Sequence, residues 1–133
     1  MQQQAQPPAR RRGLVRLVFG FRCAFAGLAE AWRSQQNLRI HLLFVLAITG
    51  LGIYLQLTAT QWAILALTCT LVLAAELANS ALEALTDLAS PAYHPLARRA
   101  KDMAAGAVLI AACGAVIVGL LIFGPPLWSK LTG

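Results

Sequence analysis

Residues 62–88, WAILALTCTLVLAAELANSALEALTDL, decide the fold. From Trp62 to Ala75 the stretch is apolar apart from Thr68 and Thr70. From Glu76 onward it keeps its Leu and Ala but gains Asn79, Ser80, Glu83 and Asp87. About 20 predominantly apolar residues suffice to cross a hydrocarbon core as a helix. The stretch therefore reads as a membrane helix whose second half changes character. Offsets of three, four, seven and eleven from Glu76 put these polar residues on one narrow face at about 3.6 residues per turn.

Two further apolar runs flank this one. The first spans about 40–57 and the third about 103–123, with the second placed at about 62–88. The uncharged Leu57-Thr58-Ala59-Thr60-Gln61 reads as a turn, and Ser90-Pro91 reads as a break before a polar, basic loop reaching Asp102. Gly124-Pro125-Pro126 is expected to end the third run, because proline lacks the N–H that a helix interior needs. Composition agrees: 59% of the 133 residues are hydrophobic and 12% charged. A soluble domain carries about a quarter charged residues, so this chain has too little polar surface to cover its apolar bulk in water.

The net charge of +6 is unevenly placed. Arg10, Arg11, Arg12, Arg16, Arg22, Arg33 and Arg39 precede the first run, and Arg98, Arg99 and Lys101 lie between the second and third. The turn between the first two runs carries no charge. Basic residues stay cytoplasmic, which predicts the N-terminus inside and the C-terminus outside. A nucleic-acid partner is not expected, since the charge serves topology. Residues 14–33 alternate Leu14, Leu17, Val18, Phe21, Phe25 and Leu28 with Arg16, Arg22, Glu30 and Arg33. This predicts an amphipathic helix over about 13–36 lying in the membrane surface, anchored by Trp32. Residues 1–10, rich in Gln and Pro, read as a disordered tail, and no cleavable signal follows the basic cluster. The expected architecture is an all-α membrane protein: a disordered tail over 1–10, then one domain over 11–133 with a surface helix and three spans. Cys23, Cys69 and Cys113 are far apart in apolar surroundings and read as reduced thiols. Ala107, Ala111, Ala115 and Gly119 form a small-residue stripe suited to close helix packing.

Three carboxylates in register on a membrane helix repel one another and resist desolvation. Ionisable groups in a span mark a functional site by default. At about 1.5 Å per residue, Glu76 lies roughly 10 Å deeper than Glu83. The shallow acids can hold a divalent ion beside a soluble phosphate donor, and the deep one can meet a lipid hydroxyl as a general base. A water-lined structural stripe is the plain alternative. No Walker loop or Gly-rich loop precedes a helix, so nucleotide chemistry here would do without the usual phosphate cradle. Lys101 can contact phosphate as a point charge or serve as a topology signal. His41 reads as an interfacial residue.

The stretch Glu76-Leu77-Ala78-Asn79-Ser80-Ala81-Leu82-Glu83-Ala84-Leu85-Thr86-Asp87 resembles the signature of the prokaryotic diacylglycerol kinase family, which includes the undecaprenol kinases. The likeness extends through Tyr93-His94-Pro95-Leu96-Ala97-Arg98-Arg99-Ala100-Lys101-Asp102-Met103 and includes Asn37-Leu38-Arg39-Ile40-His41. It implies a homotrimer in the bacterial cytoplasmic (inner) membrane that transfers the ATP γ-phosphate to a lipid hydroxyl with magnesium. By position it implies Glu76 as catalytic base, Glu83 as metal ligand, and Asn79 as its neighbour with Asp87 in support. Glu83, Arg16, Tyr93, His94, Lys101 and Asp102 match the nucleotide-contacting positions. The family's second metal-binding glutamate falls on Gln35, which keeps a carbonyl oxygen but lacks the charge, so weaker magnesium binding is expected. Glu30, five residues earlier, lies on another face. The lipid stays open between diacylglycerol and undecaprenol. A weakened, non-enzymatic relative is the second reading. A cation or proton relay is the third, disfavoured because the first and third runs offer no polar counterparts.

Overall fold

The computed structural model describes residues 13–133 and is helical almost throughout. The expected disordered tail, residues 1–10, and the arginines at 10–12 lie outside the described residues. Four helices follow in order: α1 (Gly13–Ser34), α2 (Gln36–Tyr54), α3 (Ala59–Ala89) and α4 (Pro95–Thr132). The chain divides after Ser34, with α1 in one unit and residues 35–133 in another.

Within α1, Leu14, Leu17, Val18, Phe21, Phe25 and Leu28 recur at helical spacing and all are exposed. The helix is amphipathic, as its sequence predicts, and it ends two residues before the expected boundary. Gln35 alone separates it from α2, in an extended conformation (φ −106°, ψ 110°) that opens α2 without a side-chain cap.

In the second unit, α2, α3 and α4 are each long and apolar enough to cross a membrane. α3 packs mainly against α4 and more lightly against α2. Large apolar side chains such as Leu46, Leu67, Ile110 and Leu121 face outward. In water that would be a liability, whereas in hydrocarbon it is the expected surface, since packing rather than water exclusion holds membrane helices together.

The α2–α3 turn explains itself locally. Thr58 caps α3 through a reciprocal box: its hydroxyl accepts from the Gln61 N–H at 3.3 Å, and the Gln61 amide oxygen accepts from the Thr58 N–H at 2.9 Å. This starts α3 at Ala59, three residues before the expected Trp62. Gln56 turns the chain with φ of 56°, the left-handed region. Gly52 lets α2 approach α3 closely, because a Cβ there would lie 2.8 Å from the Trp62 ring. Leu55, Leu57, Leu65, Ile122 and Phe123 form the buried core at this end.

Two expectations about α4 are corrected. Its start is Pro95, not Met103, so the basic stretch 95–102 is helix rather than loop. Proline at the first helical position presets φ, and its missing N–H would have had no partner there. His94 caps the turn, its Nδ1 accepting from the Leu96 N–H at 3.2 Å. The following Ala, Arg and Lys residues favour helix by intrinsic propensity. Nor does Gly124-Pro125-Pro126 end the helix, which runs through both prolines to Thr132. Gly124 has no Cβ to meet the ring of Pro125, and membrane helices tolerate proline where packing compensates. Here Leu127 packs on the buried core, the Ser129 hydroxyl donates to the Pro126 carbonyl, and Lys130 lies 4.1 Å from the Tyr54 ring centroid.

Candidate active site on the polar half of α3

α3 has 31 residues, about 46 Å at 1.5 Å each, against a hydrocarbon core of about 30 Å. The polar half therefore runs from inside the apolar slab to beyond it. Glu76 is buried deepest, with 2% of its surface exposed. Among the described residues, no hydrogen bond to its carboxylate is present. The Ser80 hydroxyl, one turn on, donates instead to the Glu76 backbone carbonyl at 3.0 Å.

Asn79 is also buried. Its amide nitrogen donates to Glu83 Oε1 at 3.2 Å, one helical turn away. That bond turns the amide so that Oδ1 is left buried without a partner. A buried acceptor without a donor costs about 1–3 kcal/mol, and a bound cation or a donor from a ligand would relieve it. Glu83, half-buried, keeps a second carboxylate oxygen beyond that bond. The available donors are all oxygens, the set that hard cations such as magnesium prefer. Among the described residues, no three His, Cys, Asp or Glu side chains converge as a cation cage.

The last turn of α3 and the first turns of α4 meet around the Ser90–His94 connection. They enclose a cleft of about 320 Å³ that Asp87, Tyr93, His94, Arg98, Lys101 and Asp102 line. Lys101 Nζ donates to Asp87 Oδ1 across the hairpin. Arg98 and Asp102 pair along α4 at 3.7 Å, both well exposed. His94 uses Nδ1 to cap α4, so its other ring nitrogen is the one available to a ligand. Tyr93 is exposed. Five of the residues expected to form the site thus share one cleft, and Glu76, Asn79 and Glu83 share the face leading to it.

Two expected residues remain. Arg16 lies on the exposed surface of α1, and Gln35 sits half-buried at the α1–α2 break without a side-chain hydrogen bond among the described residues. The Asp87–Lys101 bond and the capping role of His94 escape sequence reading. Residues 14 apart pair only once the hairpin is known, although Pro after His at the edge of a helical stretch is a capping signal.

The model of the prokaryotic diacylglycerol kinase family matches residues 22–123. A Synechocystis protein named diacylglycerol kinase is 48% identical over 116 residues, 86% of this chain and 66% of its own length. The undecaprenol kinase of Bacillus subtilis is 38% identical over 117 residues, 88% of this chain and 95% of its own. The diacylglycerol kinase of Escherichia coli K12 is 34% identical over 117 residues, 88% of this chain and 93% of its own. The chain thus spans just under two thirds of the Synechocystis protein and nearly all of the other two. With the signature on α3 and the cleft beside it inside the matched region, the chain belongs to the prokaryotic diacylglycerol kinase family.

Proposed function

We propose that this protein is an integral membrane lipid kinase that transfers the γ-phosphate of ATP to the hydroxyl of a membrane lipid. Diacylglycerol and undecaprenol are the two acceptors that the relatives' names offer. The observation that carries the reading is the buried Glu76, without a hydrogen-bonded partner among the described residues, on the same helix face as the Asn79–Glu83 pair. In the proposed step the lipid oxygen bonds to the γ-phosphorus, the bond from phosphorus to the ADP oxygen breaks, and the hydroxyl proton passes to Glu76. Phosphoryl transfer rests mostly on positioning and charge neutralisation, so a small site suffices.

Glu83, Asn79 Oδ1 and Gln35 are the groups we assign to magnesium, which when bound supplies neutralisation of the phosphate charge. Lys101, Tyr93, His94, Asp102 and Arg16 are assigned to the nucleotide, Glu83 reaching it through the metal. Asp87 supports them by holding Lys101. The basic residues at 16–39 and 98–101 support a cytoplasmic N-terminus and a bacterial inner-membrane location. A homotrimer in which neighbouring copies complete the site is part of the proposal, since no three His, Cys, Asp or Glu side chains converge among the described residues.

The test offers labelled ATP to the purified protein in mixed micelles with diacylglycerol or undecaprenol, with and without magnesium. Magnesium-dependent labelling of either lipid is the expected result, and a folded protein that labels neither overturns the reading. Gln35 favours a second one, a weakened relative of the family, because it removes a charge from the metal group. That alternative predicts assembly without ATP turnover, and recovery of turnover in Gln35→Glu.

A further inference from the structure

We propose that His94 is a pH-sensitive latch on the cleft between α3 and α4. Its neutral imidazole fastens the first turn of α4, and its protonation frees that turn together with the cationic side chains that follow. The effect on ATP rests on the kinase reading, whereas the latch stands on the hydrogen bond alone.

The two long helices of the hairpin begin in different ways. α3 is capped by the Thr58 hydroxyl and the Gln61 amide, groups that stay neutral across the physiological range. α4 is capped by an imidazole, outside the usual set of Ser, Thr, Asp and Asn. His94 is extended (φ −137°, ψ 131°), Pro95 has no N–H to satisfy, and His94 Nδ1 accepts from the Leu96 N–H at 3.2 Å. The His94 carbonyl accepts from the Arg98 N–H at 3.1 Å and closes the first turn. One residue thus holds the start of α4 through both its ring and its carbonyl. No acidic residue lies in that first turn to help it.

A ring nitrogen accepts a hydrogen bond only while it carries no proton. The cap therefore needs a neutral ring with its proton on Nε2. Protonation puts a hydrogen on Nδ1 as well, so that two donors face each other at Leu96. It also adds a positive charge where the helix dipole is already positive. The surroundings do not offset that charge. From α3, Asp87 faces the cleft, but its carboxylate takes the Lys101 ammonium; from α4, Asp102 pairs with Arg98. Arg98 and Lys101 line the same cleft and repel a cationic ring, and the Tyr93 phenol beside them is uncharged. His94 is exposed, so protons reach it from solvent. The cap is thus present while the ring is neutral and is lost as pH falls. Arg98 and Lys101 lie within about two turns of the start of α4. Loosening that start withdraws cations from the cleft assigned to a polyanion, so acidification weakens the hold on nucleotide.

The test follows amide hydrogen exchange of the full-length protein in mixed micelles without nucleotide. It is run at about pH 5.5 and about pH 8, which bracket the titration of an imidazole, with rates corrected for intrinsic exchange. Wild type is compared with His94→Asn, which keeps a capping oxygen that does not titrate, and with His94→Gln, whose amide reaches as far as Nε2 but caps poorly. Protection over residues 96–101 is expected to fall by about fivefold at the lower pH in wild type, on the order of the loss of one N-cap. In His94→Asn it stays high at both pH values, and in His94→Gln it is low at both. Residues 61–65, behind the Thr58 cap, respond in none of the three. Wild-type protection that is flat with pH overturns the proposal. So does a His94→Asn protein that responds as wild type does, because Asp87 or Asp102 would then carry the effect. Initial rates give the second readout. Between the two pH values the KM for ATP is expected to rise about fivefold more in wild type than in His94→Asn, while the lipid KM moves equally in both. Equal changes in the KM for ATP overturn the link from latch to nucleotide. Exchange that responds to pH in a protein that phosphorylates neither lipid sinks the kinase reading and leaves the latch standing.

Discussion

The two ends of α3 are built on opposite terms. At the Thr58 end every local device agrees: a reciprocal cap, a glycine that admits Trp62, and a dry cluster of Leu55, Leu57, Leu65, Ile122 and Phe123. At the Glu76 end the same helix buries a carboxylate that has no hydrogen bond among the described residues and leaves an amide oxygen unsatisfied there. A fold selected for stability alone would replace Glu76 and Asn79 with apolar residues, as the first half of α3 does with Leu65, Cys69 and Val72 on the same face. Departures from local consistency are where function is expected. The difference teaches that one end holds the hairpin together while the other keeps polar groups buried without partners among the described residues.

The sharpest way to break this comparison is Glu76→Gln. The substitution keeps size and hydrogen-bonding capacity but removes the proton acceptor. Loss of general-base catalysis lowers the rate by about 10²–10⁴-fold. Phosphate transfer to lipid should fall by that amount, while thermal unfolding followed by circular dichroism shows equal or higher stability, because a buried carboxylate that has no hydrogen-bonded partner among the described residues is gone. A destabilised Glu76→Gln protein would show instead that the carboxylate is a structural tie.

The opposite substitution belongs at the other end. Gly52→Val places side-chain atoms where the Trp62 ring already lies, 2.8 Å from the first of them. Overpacking of this kind costs about 1–3 kcal/mol. The midpoint of unfolding in denaturing detergent should drop, with activity per folded molecule retained. Adding Trp62→Leu should restore the midpoint. If Gly52→Val instead lowers kcat with no loss of stability, the two ends are coupled and the division between them fails.

At the junction before α2, Gln35→Glu adds a charge where the proposed metal group lacks one. The magnesium concentration for half-maximal activity should fall by about tenfold, equivalent to about 1.4 kcal/mol. A magnesium titration of initial rates checks this, and an unchanged half-maximum removes Gln35 from the metal group.

How far the sequence carried can be judged residue by residue. The helices are legible because apolar runs of spanning length have few other readings, and the face of Glu76, Asn79 and Glu83 follows from helical spacing alone. Helix ends are less legible. Hydropathy marks where a helix meets lipid rather than where it begins, so the charged turns from Pro95 to Asp102 read as loop although their residues favour helix. Pro125 and Pro126 are local stop signals overridden by the packing of Leu127, which no local rule contains. The break at Gln35 carries no glycine, proline or capping residue to announce it. The pairing of Asp87 with Lys101 depends on how tightly Ser90–His94 turns, a tertiary fact.

That pairing supplies the mildest test of the comparison. Asp87 and Lys101 join the last turn of α3 to α4, as Thr58 and Gln61 join the turn at the far end, yet the carboxylate side chain is 66% exposed. Exposed ion pairs are worth about 0–1 kcal/mol and weaken further with salt. A double-mutant cycle of Asp87→Asn and Lys101→Met, read by unfolding, should return a coupling energy in that range. The kinetic cycle should differ. If Asp87 acts by orienting Lys101 toward the nucleotide, Asp87→Asn raises the KM for ATP while leaving the lipid KM alone, and adds nothing once Lys101 is Met. A large stability coupling with no effect on the KM for ATP would make the pair a clasp like the one at Thr58, and both ends of α3 would then serve the hairpin.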